Sequence, residues 1–371
     1  MARWLLLCSV CVLISKQSNK NMMKNTCFNL KKFGVGTALL LAIRAIAVFL
    51  AIIFISYKPN NSYSQVSPSP SIGSQAIKNK QSGDRLYLPD SIPYPNGITV
   101  TSGGSVYVGS VTTGAVAKIE PRSGKLLVAP QTAIIASNSL RADEARGVLW
   151  ACSSDVFPTN GTFRKPSTLV ELDLNDGTVI KTIKLPQNGF CNDLAIDDRG
   201  GVLVTDSLNP QILYLPPDKS EFEVWTRDER FGVTEGFGLA GIAIASDGIY
   251  VGMFANGQLY RIRNRQVEPL KLARNLNNPD GMAIAPDGSL IVCEGNYQSG
   301  NGRLLRINLS DSDSTGNIEV LAEGLDSPVN LSLNNKTAWV TEGRLRGLLS
   351  PELNLPQPDS FWVRRIPLAL D

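Results

Sequence analysis

One design recurs along the chain from residue 94 to residue 343. In "PDGMAIAPDGSLIVCEG" (279–295) an apolar stretch of period two is followed by a Gly-containing turn and a second apolar stretch. The same plan appears in "YPNGITVTSGGSVYVGS" from 94, "NSLRADEARGVLWACSS" from 138, "FCNDLAIDDRGGVLVTDS" from 190, "GLAGIAIASDGIYVGM" from 238 and "SPVNLSLNNKTAWVTEG" from 327. Aligned on the apolar run, the position ahead of it is Asn96, Ser139, Asn192, Ala240, Asp280 and Val329, at spacings of 43, 53, 48, 40 and 49 residues. Units of this length, each made of several short strands, are the signature of a β-propeller.

Each copy supplies two strands joined by a turn such as "PDGS" or "DDRGG". A third strand follows, as in "STLVELDL" and "GRLLRINL", and then a fourth, as in "EFEVWT". The last copy is one strand short, because the chain ends in the third-strand pattern "FWVRRIPL". "DRLYLPD" (84–90) is expected to supply the missing outer strand, closing the ring and covering both free edges. The expected fold is therefore all-β, a six-bladed β-propeller of four-stranded blades over residues 84–371, monomeric.

Charge separates the propeller from what precedes it. Residues 1–83 hold ten Lys or Arg and no Asp or Glu, leaving 26 basic against 33 acidic residues in the body. An acidic body disfavours nucleic acid as a partner and suits a bound cation. The chain then divides into a basic leader (1–33), a hydrophobic signal-anchor-like segment (34–57), a Pro/Ser-rich linker (58–83) and the propeller. "GVGTALLLAIRAIAVFLAIIFISY" is long enough to span a bilayer, and the basic residues before it would keep the N-terminus inside. The expectation is a membrane-anchored protein with the propeller on the extracytoplasmic side, or a secreted or periplasmic one if the segment is cleaved. Three Cys in the body (Cys152, Cys191, Cys293) cannot all pair with one another, and each sits in an apolar strand. They are expected to be small buried apolar residues rather than a disulfide framework.

The chain has no His. This removes Ser-His-Asp and Cys-His nucleophile pairs, "HExxH" zinc sites and His-ligated iron or copper. Oxygen chemistry remains. Equivalent positions in a propeller converge on the central channel, so Asn96, Asn192 and Asp280 can meet there as a hard-oxygen set suited to calcium or a similar divalent ion. Asn and Asp before Gly are also ordinary turn residues, the reading that holds for Asp247 and Asp287 in hairpin "DG" turns. Asp193 either points into the channel mouth as a catalytic base or caps its turn. Arg141 and Ser139, entering blade 2, are candidates for binding an anionic or polar substrate. Glu294 and Glu342 end second strands and are expected to be structural.

On "NDLAIDDRGGVLVTDS" (192–207) and "PDGMAIAPDGSLIVCEGN" (279–296), with support from "PNGITV" and "GVLWACSS", the body resembles the six-bladed propeller family of senescence marker protein, gluconolactonase and luciferin-regenerating enzyme. The resemblance covers about residues 84–371 and implies a divalent metal held on the axis by an Asn, by the Asp of "PDG" and by a first-blade Glu. Asn192 and Asp280 match the first two. This chain reads "PNG" where the family reads "EGP", so Asn96 stands in the place of the Glu, and Ala240 occupies a second Asn slot. The implied activity is hydrolysis of a lactone or similar cyclic ester, with Asp280 or Asp193 as the base. The alternative is a non-catalytic propeller binding a ligand or protein at the cell envelope.

Overall fold

Apolar alternation at six places builds six sheets, and each blade buries both of its faces against its neighbours. The structure, a computed structural model, describes residues 81–120, 123–157, 165–309 and 316–369. The inner strands are Pro95–Val100, Ser137–Asp143, Cys191–Ile196, Leu239–Ala245, Pro279–Ile284 and Pro328–Asn334. In blades 1 to 5 three further antiparallel strands follow in chain order, each pairing with the one before. The inner strands pack side by side around a ring, the sixth against the first.

Two-sided burial explains why the second strands are apolar almost throughout. Val106–Ser110, Val148–Ser153, Val202–Asp206 and Leu290–Glu294 are buried at every position. The outer strands, Val179–Lys184 and Glu223–Arg227 among them, are largely exposed and carry charge. One apolar cluster fills each of the six interfaces: Tyr107 and Leu140 belong to that between blades 1 and 2, Trp150 and Leu194 to the next, and Leu86, Ile98 and Val363 to that between blades 6 and 1. Each such side chain stabilises the ring by roughly 1.5–3 kcal/mol.

Ring closure follows the sequence expectation. Arg85–Tyr87 pairs antiparallel with Trp362–Pro367, with Leu86 opposite Val363. Arg364 pairs with Asp84 at 2.5 Å, and the Arg85 guanidinium lies 4.2 Å from the centre of the Trp362 ring. A further short strand, Gln81–Ser82, makes this sheet five-stranded.

The cysteines correct the sequence reading. Cys152 and Cys191 form a disulfide, with their Cα atoms 5.3 Å apart, while Cys293 is free and buried. The bond joins the second strand of blade 2 to the inner strand of blade 3, which pack face to face although 39 residues separate the two cysteines. The leader, the hydrophobic segment and the linker up to residue 80 lie outside the described residues. Among the described residues no helix is long and apolar enough to cross a membrane.

Candidate active site

In all six blades the pairing between inner and second strand slips at the same point. Pro279 faces Glu294 but Met282 faces Val292, and Cys191 faces Asp206 but Leu194 faces Val204. Corresponding slips follow Pro95, Ser137, Leu239 and Pro328. A bulge of this kind bends the strand and re-aims a side chain. The first residue after each paired position is Asn96, Asn138, Asn192, Ala240, Asp280 and Val329. Five of the six match the sequence alignment. In blade 2 the slot belongs to Asn138, because Ser139 faces Cys152 one step further along.

That next step is occupied by Gly97, Ser139, Asp193, Gly241, Gly281 and Asn330. The small residues allow the inner strands to approach closely. A Cβ on Gly241 would lie 2.1 Å from the Asp280 carbonyl oxygen, and one on Gly281 would lie 2.7 Å from the Cα of Asn330.

Asn96, Asn138, Asn192 and Asp280 all line one cavity of about 60 Å³ at the channel mouth, so the expected metal set does come together. Ser207 Oγ accepts from Asn192 Nδ2 at 2.8 Å, which leaves the Asn192 carbonyl oxygen unused by that bond. Asn138 Oδ1 accepts from Ser154 N at 3.2 Å. Asp280 has no hydrogen-bond or ion-pair partner among the described residues. The residue is half-buried and lines the cavity. Burial, and secondly the charge of Asp193, push its pKa well above the usual carboxylate value. Burial likewise pushes up the phenol of Tyr297, which lines the same cavity and stays protonated.

Asp193, Ser139 and Arg141 occupy a different place. Asp193 is 1% exposed, and its Oδ1 accepts from Ser139 Oγ at 2.5 Å, Arg141 Nη2 at 3.1 Å and Leu194 N at 2.9 Å. Its Oδ2 accepts from Ile242 N at 3.1 Å. One carboxylate thus ties blades 2, 3 and 4 together, and none of these three side chains lines the cavity. This arrangement favours a bracing role over the expected catalytic and substrate-binding ones. Glu294 and Glu342 are structural, as expected. Glu294 accepts from Arg274 at 2.5 Å and Asn277 N at 2.8 Å, and Glu342 from Trp362 Nε1 at 2.5 Å and Arg364 Nε at 2.8 Å. Asp287 holds its own turn by accepting from Ser289 N at 2.9 Å, and Asp247 accepts from Tyr250 at 2.7 Å.

Among the described residues no group of three His, Cys, Asp or Glu is placed to hold a metal. Amide oxygens widen the donor set. One carboxylate with Asn96, Asn138 and Asn192 offers hard oxygen donors only, which fits calcium and does not fit a soft metal. With a single charge, such a set belongs to the weak end of the calcium range, about 10⁻⁴–10⁻³ M. The half-buried, unpartnered carboxyl of Asp280 is the feature that a cation would satisfy.

The sequence reading missed the rest of the wall. Four aromatic side chains, Phe190, Phe237, Phe254 and Tyr297, complete the cavity with the aliphatic Val111, Val156, Leu345 and Leu349. Phe190 and Phe237 lie just before inner strands, while Phe254 and Tyr297 lie just after second strands. These are the connections that surround the mouth in every blade, and their aromatic content was a readable signal.

No family model and no curated protein matches the chain. Solved structures do. A gluconolactonase from Xanthomonas campestris aligns at 14% identity over 81% of this chain and 99% of its own, with a TM-score of 0.52. A PQQ-bound aldose sugar dehydrogenase from Streptomyces coelicolor aligns at 12% identity over 80% and 99%, TM-score 0.55. A catalytically inactive, histidine-substituted virginiamycin B lyase from Staphylococcus aureus aligns at 15% identity over 81% and 90%, TM-score 0.50. What this chain shares with all three is the propeller fold.

Proposed function

We propose that the chain is a hydrolase of a lactone or similar cyclic ester, acting at the channel mouth with a divalent cation, calcium in the first instance. The observation that carries this reading is the half-buried, unpartnered carboxyl of Asp280 in a cavity whose other axial groups are the amides of Asn96, Asn138 and Asn192. Those four residues would hold the cation. When bound, the cation would polarise the ester carbonyl and favour the ionised form of Asp280.

In this reading the Asp280 carboxylate takes a proton from a water molecule as the water oxygen bonds to the ester carbonyl carbon. The ring C–O bond then breaks, the proton passes to the leaving ring oxygen, and the product is the open hydroxy acid. A carboxyl whose pKa is raised by burial is a stronger base than an exposed one once ionised. The Tyr297 phenol, kept protonated, is a hydrogen-bond donor for the carbonyl oxygen as charge develops there.

We further propose that the propeller is exported, tethered by residues 34–57 or released if they are cleaved. The Cys152–Cys191 disulfide supports an oxidising compartment. Ala240 and Val329 in two axial slots favour, as a second reading, a propeller that binds its ligand without turning it over.

A lactone panel assayed by acid release, with millimolar calcium and then with excess chelator, tests the proposal. Hydrolysis that the chelator abolishes and calcium restores supports it. Ligand binding with no hydrolysis of any lactone leaves the second reading.

A further inference from the structure

The cavity is divided by polarity. Its polar groups, Asn96, Asn138, Asn192 and Asp280, stand on the inner strands, and its walls are apolar. Four aromatic rings form a continuous arc along one side. The Phe190 and Phe237 centroids are 4.7 Å apart, Phe237 and Phe254 6.4 Å, and Phe254 and Tyr297 5.7 Å. Leu345 and Leu349 line the cavity as well, and Leu349 is 38% exposed, so apolar surface continues outward past the rim.

A second cleft lies beside the mouth. Val111 and Val156 are shared with an adjoining cleft of about 520 Å³ between blades 1 and 2. Ile134, Ile135, Ala136 and Phe157 line that cleft, with Asp155 and Lys165 among its polar members.

We propose that the substrate carries a hydrophobic arm: an alkyl- or aryl-substituted lactone rather than a polyhydroxylated sugar lactone, with the arm against the aromatic arc. This rests on the hydrolase reading above. A sugar lactone brings a hydroxyl on nearly every ring carbon, and the walls offer those hydroxyls few partners. Each hydroxyl buried without one costs about tenfold or more in binding. An alkyl arm loses nothing by the same burial and gains about two- to fourfold per methylene removed from water.

The test uses the full chain with millimolar calcium and compares glucono-δ-lactone with γ-lactones bearing ethyl, butyl, hexyl and octyl chains. The expected result is a kcat/KM that rises by about two- to fourfold per methylene over the shorter members, with the sugar lactone the poorest substrate. Phe237→Ala and Phe254→Ala should flatten that slope, mainly through KM. A flat slope in the unmodified chain, or faster turnover of the sugar lactone, overturns the inference while leaving the hydrolase reading intact. If neither class is hydrolysed, the hydrolase reading has failed and binding decides the inference separately. An octyl-substituted cyclopentanone followed by saturation-transfer NMR should show contact along the alkyl chain. No such contact overturns the inference.

Discussion

Arg141 Nη2 lies 3.1 Å from Asp193 Oδ1, and this pair, with Ser139, engages the carboxylate whose negative charge acts on Asp280. Asp193 is nearly inaccessible while the Arg141 side chain is 18% exposed, so losing the arginine leaves a buried charge without its counter-ion. Arg141→Met is expected to cost about 3 kcal/mol in urea unfolding at neutral pH. A loss below about 0.5 kcal/mol, as for an ordinary surface substitution, would contradict the bracing role.

Asp280 gives a pH-dependent signature. An acid whose pKa is higher in the folded state than in the unfolded chain favours folding below its ordinary range and opposes it as pH rises through and above that range. The Asp280 pKa is raised by burial first and by Asp193 second. Asp280→Asn should therefore melt at a higher temperature than the unmodified chain at neutral pH in chelator. That advantage should shrink as the pH falls from neutral toward the usual carboxylate range and be gone below it. Equal melting temperatures at all pH values would show that the carboxyl is better solvated than its surroundings indicate.

Ring closure depends on a short strand far from the rest of its blade in sequence. Leu86 is 2% exposed and packs with Ile98 and Val363 in the cluster between blades 6 and 1. Leu86→Ala should cost about 3 kcal/mol in denaturant unfolding, as for a core leucine. A negligible loss would mean that the ring is closed without Arg85–Tyr87.

The Cys152–Cys191 bond constrains a loop of 39 residues, worth about 4 kcal/mol in the chain-entropy account. Replacing both cysteines by serine should lower stability by that order. Thiol alkylation of the unfolded, unreduced propeller should modify Cys293 and spare Cys152 and Cys191.

The blades were legible because period-two apolar runs and Gly turns state the strands directly, and because a last blade lacking one strand demands a partner such as 84–90. The site was legible only in part. Asp280, Asn192 and Asn96 fall where equivalent blade positions must converge, but the bulge adds an unpaired residue, and in blade 2 that slip exchanges Ser139 for Asn138. Asp193 reads like its neighbour Asn192, yet side chains from blade 2 and a backbone N–H from blade 4 satisfy it, and a local motif does not display those contacts. The disulfide was hidden for the same reason, since it joins faces of different blades.

The most direct measurement is a paired one: calorimetric calcium titration and calcium-dependent lactone hydrolysis, on the unmodified chain and on Asp280→Asn. The account predicts millimolar binding and turnover in the first. It predicts loss of both in the second, with kcat/KM down by about a hundredfold or more if general-base catalysis is removed. A folded Asp280→Asn protein that hydrolyses the same lactone at the unmodified rate would contradict the central claim.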